Sequence, residues 1–319
     1  MTPKQRFIHA LTRKPPIPGE HVPHFELVFY LTMEAIGQVH PAHLSFSQWD
    51  QLSESERELH RGRSADNYVE IARKYHHDAI FAQPNPGSPD ETIRMLEKIR
   101  ERSGDDFFLM LHGDPTFPIP NGSDMMEFAA AFVEEPDKMK QEAQRRVDQH
   151  IRAAEKFAAR PELLDGFALC SDYCFNTAPF FRPGQFAEFI TPYLTRIIQE
   201  YRDMGFYTIK HTDGNILPIL DQLVQANPHA LHSLDPQGGV DLREVKAQWG
   251  DRVCLIGNVN CGLLQTGEED EVRADVRRAL RDGMPSGGYI FSTSNCAYSG
   301  LPLSRYELMH DIWRAEGRY

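Results

Sequence analysis

Short runs of aliphatic and aromatic residues recur along the chain, each giving way to a polar turn and then to a longer stretch of helical period. The runs fall at Val22–Glu26, Asp78–Gln83, Phe107–His112, Gly166–Cys170, Tyr207–His211, Ala230–Leu234, Val253–Gly257 and Tyr289–Ser292. Several are apolar almost throughout, such as Phe-Phe-Leu-Met-Leu from Phe107, instead of alternating with polar residues. Parallel strands read this way because helices cover one face and packed side chains the other. The pattern predicts an α/β fold, a (β/α)8 TIM barrel, with residues 1–319 forming a single domain.

Helix starts divide the chain at the same places. Ser88-Pro89-Asp90-Glu91 offers a capping serine, a proline at the first helical position and a carboxylate at the third. Thr266-Gly267-Glu268-Glu269 and Asp241-Leu242-Arg243-Glu244 repeat that logic, so the acidic run Glu268–Glu271 reads as a helix N-terminus that favours negative charge. Phe186–Arg202 carries Phe186, Phe189, Ile190, Tyr193 and Ile197 near helical spacing, which predicts one helix with a buried face. Met125, Met126 and Phe128 read as core packing.

Composition narrows the function. With 41% hydrophobic residues, the 319-residue chain has material for one large core. Its 34 basic residues against 46 acidic ones give a formal charge of -12, which repels phosphate backbones and anionic membranes. Nucleic acid and membrane partners are therefore not expected. No stretch approaches the roughly 20 apolar residues of a membrane span, and Met1–Arg13 lacks a signal core, so the expected location is cytoplasmic. The five cysteines are scattered and odd in number, as for reduced thiols. Gly283–Gly288 lacks the lysine-bearing pattern of a phosphate cradle.

In such barrels the active site collects at the C-terminal ends of the strands, and here nearly every strand exit carries polar chemistry. His112 and Asp114 follow the third run, Asp172 and Tyr173 the fourth, and Lys210, His211 and Asp213 the fifth. Asp235, the pair Asn258 and Asn260, and Asn295 with Cys296 complete the rim, and Glu26 shares a face of the first strand with His24. His211 and Asp213, two residues apart, project to one side of an extended chain; Cys296 could bring a third, soft ligand for a catalytic metal. The same residues also suit an orienting histidine, a capping aspartate and a packing cysteine. Asp172, His112 and His211 are candidate acid-base groups, and Glu26, Asp114, Tyr173, Lys210, Asp235, Asn258, Asn260 and Asn295 are candidate substrate contacts.

The opening Thr2-Pro3-Lys4-Gln5-Arg6-Phe7 with Val22-Pro23, the stretch Asp165–Asp172 with Pro192-Tyr193-Leu194, and the segments Lys210–Asn215, Gly250–Asn258 and Gly287–Gly300 resemble the uroporphyrinogen decarboxylase superfamily. The resemblance implies a (β/α)8 barrel and two activities: cofactor-free decarboxylation of uroporphyrinogen, and corrinoid-linked methyl transfer that is often zinc-assisted. The decarboxylases carry an N-terminal Arg-Gln-Ala-Gly-Arg clamp for the substrate's carboxylates, whereas this chain runs His21-Val22-Pro23-His24-Phe25-Glu26. The methyltransferase branch is more similar. Its zinc pattern, His-x-Cys with a distant Cys, maps to His211, to Asp213 in place of the first cysteine, and to Asn295 or Cys296. The resemblance therefore implies a methyltransferase that moves a methyl group from a small O- or N-methyl donor to a corrinoid. The chain has no Asp-x-His-x-x-Gly motif, so the corrinoid would sit on a partner protein. A decarboxylase of a carboxylated substrate is the alternative.

Overall fold

Two-residue alternation sorts the side chains of each strand between two apolar layers. In the computed structural model, which describes residues 1–319, seven strands form one sheet in sequential order, every neighbouring pair parallel. They are β1 (Ala79–Phe81), β2 (Phe108–His112), β3 (Gly166–Cys170), β4 (Tyr207–Thr212), β5 (Ala230–Ser233), β6 (Cys254–Ile256) and β7 (Tyr289–Ile290). Phe81, Phe108, Met110, Ala168, Ile209, Ala230, Ile256 and Ile290 join an inner cluster. Their neighbours Ile80, Leu109, Leu111, Phe167, Leu169, Leu231, Leu255 and Tyr289 belong to a larger cluster shared with the surrounding helices. The fold is TIM-barrel-like. No helix is long and apolar enough to cross a membrane.

The predicted first strand, Val22–Glu26, does not form a ladder. It makes one parallel bridge, His24 to Phe291, yet bonds to both edges of the sheet. The Phe291 amide donates to Pro23 O (2.8 Å), Phe25 N to Phe291 O (3.2 Å), and Asp78 N to His24 O (2.7 Å). Pro23 has no N–H to offer. The His24 amide donates instead to the Asp78 carboxylate at 2.8 Å, so a side chain takes a place that a ladder carbonyl would fill.

The helix Pro3–Leu11 closes the N-terminal end of the ring. Thr2 caps it in a reciprocal box with Gln5, and Phe7, Ala10 and Leu11 enter the inner cluster. The Phe7 ring lies 5.6 Å from Phe25, edge-on, and 4.9 Å from Phe108, while Arg6 reaches the buried Asp78 at 2.8 Å.

Other expectations shift locally. Ser88 and Asp241 cap their helices as predicted, but the helix Glu269–Gly283 is capped by Glu268, and Thr266 ends the preceding helix. Phe186–Arg202 is two helices, Pro183–Phe189 and Thr191–Asp203, because Pro192 lacks an amide and suits only a helix's first turn. Phe128 packs on Phe117, Phe132 and Phe180, whereas Met126 is 85% exposed.

Because Phe7 fills the floor and is fully buried, Phe7→Ala is expected to cost about 3–5 kcal/mol in urea unfolding. A loss below about 1 kcal/mol would show that the floor collapses around the cavity at little cost.

Candidate active site

Above the apolar layer the inward positions become polar. β4 pairs with β3 so that Cys170 lies beside His211, and with β5 so that His211 lies beside His232. His211 faces inward because its neighbour Lys210 faces out, and Asp213 follows on the same side, as its spacing requires. His211 Nε2 stands 3.6 Å from Asp172 Oδ1 and 3.7 Å from Asp213 Oδ1. One ligand atom from each of the three residues lies within 4.8 Å of the others. Asp172 is half-exposed and His211 nearly covered, so the group has one open side.

This donor set fits a divalent cation. Ligand atoms about 2.1 Å from a common tetrahedral centre stand roughly 3.4 Å apart, close to the spacings here. Asp213 Oδ2 accepts from the Asn295 amide, but its Oδ1 is buried without a hydrogen-bond partner. Burial raises the Asp213 carboxyl; His211 and the nearby Ser233 hydroxyl oppose that shift, while Asp172 and Asp235 add to it. An imidazole and two carboxylates make a harder site than the thiolate pattern. Cys296 is outside the group. Burial first, then Cys261, Glu26 and the two aspartates, raise its thiol far above the usual range. The third position expected of Cys296 is held by Asp172.

Several other candidates are committed to one another. The Lys210 ammonium is fully buried and donates to Asp114 Oδ2 (2.7 Å), Ser171 O (2.8 Å) and Leu169 O (3.1 Å), 4.1 Å from the Tyr173 ring centre. Burial alone would raise Asp114, but the Lys210 charge and the Thr116 hydrogen bonds outweigh it and hold the carboxyl below its ordinary range. The Tyr173 hydroxyl meets Thr116 Oγ1 at 2.5 Å. Lys210, Asp114 and Tyr173 thus clasp the exits of β2, β3 and β4 from outside the ring. Asn258 donates to Leu234 O (2.7 Å) and accepts from Arg278 (3.0 Å); Asn260 caps the helix Cys261–Thr266 and Asp235 the short turn after β5. His112 sits exposed at the end of β2, beside a cleft of about 250 Å³ that His150, Phe157 and Tyr201 also line.

Glu26 is buried behind the site, where Thr293 Oγ1 (2.5 Å) and Ser292 Oγ (3.3 Å) donate to Oε2 of its carboxyl group. His232 and Ser292 were missed as candidates. Alternation marks His232, two positions after the inward Ala230, as another inward residue.

These features define a barrel-like α/β protein with an imidazole-carboxylate site at its C-terminal rim. Residues 122–315, well over half of the chain, match the uroporphyrinogen decarboxylase (URO-D) family, and the chain belongs to that family. A methyltransferase from Methanosarcina mazei superposes with a TM-score of 0.72 at 17% identity, over 99% of each chain. A D-psicose 3-epimerase structure, in the presence of D-fructose, gives a TM-score of 0.41 at 12% identity, over 78% of this chain and 90% of its own. No curated protein sequence matches the chain.

The clasp predicts that Lys210→Met, which strands a buried carboxylate, destabilises the chain by about 3–5 kcal/mol, and that adding Asp114→Leu recovers most of the loss in urea unfolding. Additive losses would contradict it. Burial raises the Glu26 carboxyl to about 8, against hydrogen bonds from Thr293 and Ser292 that lower it. The unfolded group titrates near ~4.3, so its contribution to stability is complete below that value and is lost as pH rises through about 8. Glu26→Gln should therefore gain stability over the natural chain as pH goes from about 6 to about 9, read from urea midpoints. Parallel curves would contradict a buried neutral acid.

Proposed function

We propose that this protein is a methyltransferase that takes a methyl group from a small O- or N-methyl donor and passes it to a corrinoid carried by a partner protein. The observation that carries the reading is the open-sided group of Asp172, His211 and Asp213, with Asp213 Oδ1 unpartnered, on a URO-D family fold. The end-to-end likeness in fold to a methyltransferase supports it. A divalent cation such as zinc, held by these three residues, would polarise the donor's oxygen or nitrogen as its methyl group leaves.

The chain's own groups do the rest. Asp172, the most exposed of the three, meets the incoming donor and can hold or return the proton of the released hydroxyl or amine. His112, at the neighbouring exit of β2, is a second candidate proton acceptor. Phe175 and Leu217, which follow β3 and β4 and are partly exposed, would offer a planar macrocycle apolar surface. Asp172, Asp213 and Asp235 are carboxylates at one mouth, so a polycarboxylated tetrapyrrole meets repulsion there. Because the site draws on several strand exits, we take residues 1–319 as one working unit.

Methyl transfer from methoxylated aromatics and methylamines to reduced free cobalamin, with zinc content measured on the same preparation, tests the reading. His211→Ala is expected to lose the metal and about a hundredfold or more in rate while its melting temperature changes little. Full activity in that variant, or efficient release of carbon dioxide from uroporphyrinogen, would overturn the assignment.

A further inference from the structure

Behind His211 lies a line of buried polar groups that the proposed chemistry does not use. His211 Nδ1 and His232 Nδ1 are 2.7 Å apart, His232 Nε2 and Ser292 Oγ are 3.5 Å apart, and Ser292 Oγ donates to Glu26 Oε2 at 3.3 Å. His232 is 1% exposed, and no carboxylate touches it.

Two imidazole nitrogens at that distance share one proton, and which ring carries it decides what His211 presents to the site. The far side of His232 settles the matter. His232 Nε2 faces Ser292 Oγ at 3.5 Å, and because the hydroxyl's own proton goes to Glu26 Oε2 it offers His232 a lone pair. The His232 proton therefore sits on Nε2, and His232 Nδ1 is an acceptor. His211 must then donate from Nδ1, which leaves a lone pair on Nε2 facing Asp172 and Asp213 at 3.6 and 3.7 Å. Three electron-rich atoms converge, with Asp172 Oδ1 accepting from the Asp213 backbone amide at 3.2 Å, and a cation would relieve the arrangement.

We propose that His232, braced by Thr293, Ser292 and Glu26, is the positioning residue that sets the tautomer of His211 and so prepares its Nε2 to ligate a divalent cation. This rests on reading Asp172, His211 and Asp213 as a cation site. His232 touches neither substrate nor metal; it acts through His211, as the outer partner of a ligating histidine does in fixing ring orientation and basicity.

The test combines zinc titration calorimetry with nitrogen-15 NMR of the histidine rings in metal-free protein. The natural chain is expected to show His211 protonated at Nδ1 before metal is added. His232→Leu, which removes the acceptor, should weaken zinc binding by about 10- to 100-fold, whereas His232→Asn, whose Oδ1 can stand where Nδ1 stood, should stay within a few-fold. A spectrum with the His211 proton on Nε2, or equal zinc affinity in the natural chain and His232→Leu, would overturn the proposal. If the natural chain binds neither zinc nor manganese, the cation reading falls, while the NMR result still decides the tautomer. If His232→Leu does not fold, the spectrum of the natural chain and the Asn variant decide between the outcomes.

Discussion

A ring of parallel strands gives each side chain only two destinations, and everything distinctive about this protein follows from which one a residue is assigned. Inside, Phe81, Phe108, Met110, Ile209 and Ile256 build an apolar column, and above it the inward positions become Cys170, His211 and His232. Outside, against the helices, the same strand ends carry Lys210 and, just beyond, Asp114. One step along the chain separates a group that can meet a ligand from one sealed in the wall.

That rule explains how far the sequence could be read. Apolar runs marked the strands, since burial on both faces leaves a signal that does not depend on knowing the neighbours. Pro23 spoiled the ladder of the first run, and Pro192 broke a helix whose periodicity continued across it; both effects are local and visible in the residue type. Met126 could not be placed, because helical spacing says which residues share a face but not whether another element covers it. In the site, spacing along β4 sufficed for His211 and Asp213. The third member was a matter of closure across the barrel, and the structure brings Asp172 there while Cys296 stays outside. Lys210 was read by its polarity; parity turns the residue before an inward histidine outward, where it pairs with Asp114.

The buried charges divide into two kinds of electrostatic environment. At Lys210 and Asp114, opposite charges and carbonyls close the balance inside the wall, and the pair pins three strand exits in register. At Asp172, His211 and Asp213 the balance stays open, since the carboxylates lack a cationic side chain of their own within the group. The first arrangement supplies rigidity to the second. Loops positioned by a satisfied network can hold an unsatisfied one that loose loops would relax by turning their side chains to water.

The helix that fills the floor also decides traffic. With Phe7, Ala10 and Leu11 packed into the base of the ring, the inward polar groups can be reached only from the opposite rim. Anything that enters must back out the way it came, and a large visitor leaning on the rim blocks the exit for whatever lies beneath. Under a bulky second reactant, a small molecule would have to enter first and leave last, so the architecture would order events without any moving part.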